Sequence, residues 1–404
     1  MEKETQILKP FTTSFLKDFV LVPERISFES EEVLGLDKEL SQYERVVLNP
    51  DIEKSLLTKN EILASFAISK AENSALTIEE AEEVYNLIKS NPSFDFIKDK
   101  IEKQKKLTKK DYEKLEFFNI VTTFKKLNQE NISLNEITPE KIKEIHKLLT
   151  QGLDIFKNYL PNFTVYKSGE WRPGDDIRVG EYIPAPHEMI GEGVKELLSY
   201  LKKERNVVSL AVFHTALYAV HPFNNGNKRV CRVLEHIILR QLGLNKNNLY
   251  STSYYYHKEK ERYYKYLLAS LERKNLNYFT SFVLESVVLS IISVVKTSIE
   301  VERGDFIKKQ NIDENVRKAL HPLIKKREVQ FKNIYRESKG KISRQTLVSY
   351  LKKGVDGKIL NKREKGRNTY YSLNLSLPEE GIYEKWITFA KDKLSYIPDD
   401  ILLA

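Results

Sequence analysis

One cysteine, Cys231, stands among 404 residues. The chain therefore forms no internal disulfide and builds no multi-cysteine metal site, and the expected compartment is a reducing one, the cytoplasm, without structural zinc. Glycine (15) and proline (13) are both scarce, which speaks against collagen-like, disordered and turn-rich all-β chains. Long apolar runs are missing too: the most apolar stretch, Phe279 to Val295, is interrupted by Glu285 and by several hydroxyl residues. It falls short of the roughly 20 residues that a spanning helix needs, so a buried helix or a dimer interface is expected there, and no membrane partner. Met1 to Phe19 mixes charged with apolar residues and holds no apolar core followed by a cleavage site, so no secretory signal is expected.

What is present is a helix-leaning globular composition, 41% hydrophobic and 30% charged, long enough for two to three domains. Charge is uneven. Val301 to Asn374 holds 20 Lys plus Arg against 8 Asp plus Glu, a net +12, whereas the rest of the chain carries −3. A separate basic module is implied.

Helical apolar spacing runs from Ile62 to Ile88 with a turn at Glu72-Asn73-Ser74, and again from Asp111 to Leu127. Thr138 caps a third helix that has Pro139 at its first position and Ile142, Ile145, Leu148 and Leu149 as its stripe. Between Phe163 and Pro186, glycines and prolines punctuate two short runs, Ile177-Arg178-Val179 and Glu181-Tyr182-Ile183, which predicts a β-hairpin or ordered flap. Helices return from Met189 to Lys202 and from Val207 to Val220.

The last of these runs into His221-Pro222-Phe223-Asn224-Asn225-Gly226-Asn227-Lys228-Arg229-Val230-Cys231-Arg232. Lys228, Arg229 and Arg232 share one face at a helix start, where the helix dipole disfavours cations by about 0.3–1 kcal/mol each when exposed. An anion offsets that cost. Free N–H groups at a helix N-terminus, a glycine that permits close approach and three cations together describe a site for several phosphates. His221 lies at its edge, a group able to take a proton near neutral pH. The plainer alternative is a basic helix start beside a buried histidine.

These residues resemble the signature of the Fic-domain family: His-Pro-Phe, any residue, Asp or Glu, Gly-Asn, Gly or Lys, Arg, two residues, Arg. Every fixed position fits except Asn225, where the acid is expected. The likeness covers roughly Asp111 to Ser290. It implies a mainly α fold, a Fic-type helical bundle with a short β-hairpin flap, and transfer of AMP from ATP to a Ser, Thr or Tyr hydroxyl of a target protein or of the chain itself. By this resemblance His221 takes the hydroxyl proton, and Asn224, Gly226, Asn227, Lys228, Arg229 and Arg232 hold the nucleotide. Ile177, Arg178 and Val179 dock the target by strand-like pairing.

Two departures qualify the pattern. Asn225 offers a neutral oxygen where the family's acid binds Mg²⁺, which makes it a weak metal candidate. Lys228 replaces the commoner glycine, as in the death-on-curing toxins that transfer the γ-phosphate, so phosphoryl transfer is the second enzymatic reading. A third reading is a nucleotide-sensing DNA-binding regulator with little turnover. Many family members carry an inhibitory helix patterned Ser or Thr, three residues, Glu, then Gly or Asn. Ser65 to Asn73 resembles it, with Glu72 as the inhibitory residue expected to meet Arg232, although Ser69 lies one position too close. Tyr255 and Tyr264, from the tyrosine cluster after the motif helix, are candidates for the adenine pocket; His214 is expected to pack in the core.

In the basic module, Gln330 to Lys339 predicts a helix, Gly340-Lys341-Ile342 a turn, and Ser343 the cap of a second helix with Leu347, Tyr350 and Leu351 inward. Lys358 to Asn361 and Tyr370 to Leu373 then flank Lys365-Gly366-Arg367-Asn368. The order resembles a small α+β winged helix-turn-helix domain, which implies duplex DNA as a partner: Arg344, Gln345 and Ser349 in a major groove, and Lys362, Arg363, Lys365 and Arg367 on phosphates. A protein-docking or homodimer surface is the alternative. The expected organisation is 1–105, an N-terminal helical regulatory region; 106–302, the catalytic domain; and 303–404, the winged helix and tail.

Overall fold

The computed structural model describes residues 6–46, 61–70, 74–90, 96–338 and 342–403. Glu72 and the Gly340-Lys341 turn lie outside them. Chain contacts divide the protein into two compact units, residues 1–42 with 53–290 and residues 43–52 with 291–404.

The first unit is helical. It contains most of α1 (Ser30–Val46), α2 (residues 61–70), α3 (Ile78–Ser90), α4 (Phe96–Glu102), α5 (Lys109–Glu130), α6 (Pro139–Thr150), α7 (Ile190–Glu204), α8 (Val207–Val220), α9 (Asn227–Gln241), α10 (Thr252–Lys258), α11 (Lys260–Glu272) and the start of α12 (Asn277–Lys309). α8 is apolar all round, and thirteen of its fourteen residues are buried, as a central helix requires. Around it pack α7, α9 and α11, while α5 and α6 cover α9. Caps set the helix starts. The Thr138 hydroxyl accepts the Lys141 N–H with Pro139 behind it, and the Asn206 side chain accepts the Ser209 N–H at the head of α8.

One expectation is corrected here, and a second, the buried helix, is met in a longer helix than the apolar stretch alone announced. The flap is no two-stranded hairpin: Val179 and Tyr182 exchange one pair of backbone bonds, 3.0 and 3.1 Å, around a turn. Pro184 and Pro186 have no N–H with which to continue a ladder. The apolar stretch Phe279 to Val295 is embedded in the 33-residue α12, which is long and apolar enough to cross a membrane by length and composition, yet 83% of its most apolar window is buried inside the protein.

The second unit contains α13 (Glu314–Ala319), α14 (Pro322–Lys325), β1 (Val329–Gln330), α15 (Phe331–Ser338), α16 (Arg344–Asp356), β2 (Leu360–Lys365), β3 (Asn368–Leu373) and α17 (Pro378–Lys393). Its antiparallel sheet has the order β1-β3-β2, with Val329 opposite Tyr371 and Leu360 opposite Leu373. Ile334, Leu347, Leu351 and Leu360 form its core with those sheet residues. Gln330, expected to open a helix, instead pairs with Tyr370 in the sheet. The strands after α16 are longer than expected because the ladder runs on to Lys365 opposite Asn368.

Candidate active site

α8 ends at His221, whose φ of +48° turns the chain out of the helix while its N–H still reaches Leu217 O. Six residues later α9 begins, with Gly226 at φ +82° as the preceding residue. A side chain at that position is strained, and an added Cβ would lie 3.3 Å from His146 Nε2. Between these points the loop is anchored from inside. The Phe223 N–H donates to Asn227 Oδ1 (2.9 Å), and Asn227 Nδ2 donates back to Phe223 O (2.7 Å). Phe223 is fully buried and stacks on the His146 ring at 3.8 Å with an interplanar angle of 7°.

His146 also fixes the loop backbone. Its Nδ1 accepts the Gly169 N–H (2.9 Å), which leaves the proton on Nε2 for donation to Asn225 O (3.0 Å). Burial, with the nearby Arg229 charge, lowers its pKa to about 4, so the ring is neutral at pH 7. Arg172 works from the other side. Its Nε donates to His221 O (2.8 Å), its Nη1 pairs with Asp175 (2.8 Å), and its Nη2 bonds Ala185 O. Sequence reasoning singled out neither residue. His146 carried a signal, a titratable group on the apolar face of α6; Arg172 carried none.

His221 is half-buried, and its Nδ1 has no hydrogen-bond partner among the described residues. Burial, together with the Arg172 and Lys228 charges, depresses its pKa to about 3. At neutral pH it is an uncharged imidazole with a lone pair, the form a proton acceptor needs.

The three cations divide. Lys228 is half-buried, with Nζ 5.4 Å from the Tyr264 ring centroid. Arg229 is fully buried: its Nη1 lies 3.0 Å from Glu116 Oε1 and its guanidinium 4.9 Å from the Tyr166 ring centroid. Glu116 also accepts from Tyr112 (2.9 Å) and from Ser69 of α2 (3.2 Å), and sequence reasoning did not find it. Arg232 donates from Nη1 to Ala67 O of α2 (3.0 Å) and faces the rings of Tyr263 and Tyr256 at 5.0 and 5.5 Å. Helix α2 therefore reaches both arginine environments.

Behind the loop lies a buried polar network. His214 Nδ1 meets Glu235, its Nε2 meets the Tyr263 hydroxyl (3.2 Å), and Glu235 accepts from Tyr256 (3.0 Å) and Thr252. Most of the tyrosine cluster is thus structural. Tyr255 donates to Glu285 (2.6 Å), which Arg262 also grips with both terminal nitrogens; Tyr264 alone of the two adenine candidates sits beside a cation at the start of α9, Lys228. In the flap, Arg178 bonds the carbonyls of Ile177 (2.9 Å) and Asp175 (3.3 Å).

Asn224 and Asn225 are half-buried. The Asn225 side-chain oxygen accepts the Gly226 N–H (2.8 Å), and no cluster of three or more His, Cys, Asp or Glu suited to a metal occurs among the described residues. These residues do not fit a protein-held Mg²⁺, which favours carboxylate ligands.

Residues 136–239 match the family model described as the Fic/DOC family. Curated relatives include a probable protein adenylyltransferase of Aquifex aeolicus, 31% identical over 94 residues that cover 22% of this chain and 29% of that protein. Another is the protein adenylyltransferase fic-1 of Caenorhabditis elegans, 28% identical over 96 residues that cover 22% and 19%. The chain thus matches less than a third of the length of these relatives. A solved Fic family protein from Desulfovibrio desulfuricans is similar in fold, with a TM-score of 0.52 at 18% identity over 92% of this chain and 99% of that one.

Proposed function

Since the chain carries a Fic/DOC-family domain over residues 136–239, we propose that it is a protein adenylyltransferase. One observation carries this reading: a neutral His221 and the start of α9, with Gly226, Asn227, Arg229 and Arg232, flank one loop whose backbone His146 and Arg172 hold at Asn225 and His221. In this reaction a hydroxyl oxygen of the target attacks the α-phosphorus of ATP, the bond to pyrophosphate breaks, and His221 takes the hydroxyl proton. Backbone N–H groups at the start of α9 and its cations offset the phosphate charge. The open edge at Ile177 to Val179 receives the target segment. Any divalent cation arrives on the nucleotide phosphates.

The same reading includes a brake on α2. Glu72 lies outside the described residues, but two bonds made by α2 support the idea: Ala67 O accepts from Arg232, and Ser69 donates to the Glu116 carboxylate that pairs with Arg229. Both motif arginines are occupied by protein groups where phosphates are to bind. Phosphoryl transfer is the second reading, favoured by Lys228 at the signature position where glycine is commoner.

The test incubates wild type, Glu72→Gly and Glu72→Gly/His221→Ala with ATP labelled at the α- or the γ-phosphate, with and without host lysate. Label from the α-phosphate that rises in Glu72→Gly and disappears with His221 is expected. Label from the γ-phosphate alone replaces this reading with phosphoryl transfer, and absence of both labels overturns both.

A further inference from the structure

We propose that the second unit binds duplex DNA, with the exposed face of α16 in the major groove and the β2–β3 hairpin on the phosphate backbone. This rests on the second unit alone and is independent of the transferase reading.

α16 is built to show one face. Ser343 caps it, its hydroxyl accepting the Thr346 N–H, and Leu347 and Leu351 turn into the core. The opposite side, Arg344, Gln345, Val348, Ser349 and Lys352, is exposed. These positions recur at helical spacing, and no Asp or Glu occurs before Asp356. An arginine, an amide and a hydroxyl are groups that read base edges, and Val348, 48% exposed among them, offers the apolar contact that a thymine methyl takes.

The hairpin leaves the core. Of β2 only Leu360 is buried; Asn361 to Lys365 are exposed on both faces of the strand, as are Gly366, Arg367 and Asn368. Gly366, at φ +60°, makes the tight turn. Lys362 pairs with Glu364 (2.6 Å), and Arg363 forks onto Glu328, with Nε 2.7 Å from Oε1. Lys365 and Arg367 at the tip have no ion pair among the described residues, so the phosphate contacts expected of all four cations narrow to these two.

Charge selects the occupant. Residues 301–374 carry +12, so a second copy of this surface would be repelled, whereas a polyanion is attracted and releases its condensed counterions. An acidic protein satisfies the charge but not the combination of a carboxylate-free helix face and a projecting cationic hairpin. That pairing matches a groove flanked by phosphates.

The experiment measures fluorescence anisotropy of the full chain, without ATP, against a labelled mixed-sequence duplex, its single strands and a single-stranded RNA, across a salt series. The duplex is expected to bind most tightly, with log K falling linearly against log salt at a slope of about −0.9 per phosphate contact. Lys365→Ala/Arg367→Ala weakens all duplexes alike and flattens the slope by about 2. Selection from a randomised duplex pool enriches a motif, and Gln345→Ala reduces discrimination within it by roughly tenfold. His221→Ala binds DNA as wild type does, which separates this result from the transferase reading. The proposal is overturned by no duplex binding at low salt, by tighter binding of RNA, by self-association in its place, or by a hairpin variant with unchanged affinity.

Discussion

The Arg232 guanidinium donates to the carbonyl oxygen of Ala67 at 3.0 Å, which joins the second motif arginine to a helix more than 150 residues away in the chain. A buried guanidinium needs acceptors, and here a backbone carbonyl supplies one. On the proposed function, helix α2 and the nucleotide phosphates would compete for one side chain.

That competition is testable at Ala67, which is fully buried. Ala67→Phe has no room and costs the packing of α2 about 1–3 kcal/mol, which favours release of Arg232. Tighter ATP binding by calorimetry and more label transfer from the α-phosphate are expected. An ATP affinity equal to wild type in the folded variant would separate α2 from nucleotide binding.

Glu116 and Arg229 form an ion pair from which both side chains are excluded from water. Removing one partner strands the other charge, and about 3–5 kcal/mol of stability should be lost in Glu116→Gln. Urea unfolding measures that loss. Addition of ATP should raise the variant's melting temperature more than it raises that of the wild type, since phosphates restore a partner to Arg229. Equal shifts would mean that phosphate does not reach this guanidinium.

Gly226 adopts φ +82°, and its missing side chain is what leaves room for His146. Gly226→Ala is expected to cost about 1–2 kcal/mol from backbone strain, and to lower nucleotide affinity more than stability because the loop shifts against Asn225. Parallel calorimetric titration and thermal unfolding distinguish the two effects; a stability loss with full ATP affinity would contradict the role assigned to the loop.

Stability should also fall in mild acid. His146 is held near pKa 4, and His221 and His236 near 3, burial being the first cause in each. Their unfolded counterparts titrate near 6.5, so between about pH 6.5 and 4 the unfolded chain binds protons that the folded one does not. Stability is therefore complete above pH 6.5 and lost as pH falls. Near pH 5.5 unfolding should take up about two to three protons from these groups. Unfolding followed by calorimetry in buffers of different ionisation enthalpy measures that number, and no uptake would show the rings to be charged in the folded protein.

The helices were legible because their causes are local. Thr138 with Pro139 and Ser343 are caps that act within four residues, and the apolar spacing of α6 marks its buried face. The loop from His221 to Arg232 was legible for the same reason, as a contiguous run of chemistry between two helices. The flap was less so. Its glycines and prolines announced a turn, but whether a ladder followed depended on which N–H groups found partners, and only Val179 and Tyr182 did.

By itself, then, the sequence determined the helical class, the basic character of residues 301–374, and the run of residues from His221 to Arg232 that can meet phosphate. Tertiary structure alone decided what each of those residues is held by. His146, Arg172 and Glu116 come from separate segments, and no periodicity links a side chain on α5 or α6 to a loop some 80 or more positions later. Burial did the rest: it discharges His221, obliges Arg229 to find Glu116 and Arg232 to find Ala67, and turns Tyr255 toward Glu285. An unpartnered polar group is costly only once packing has excluded water.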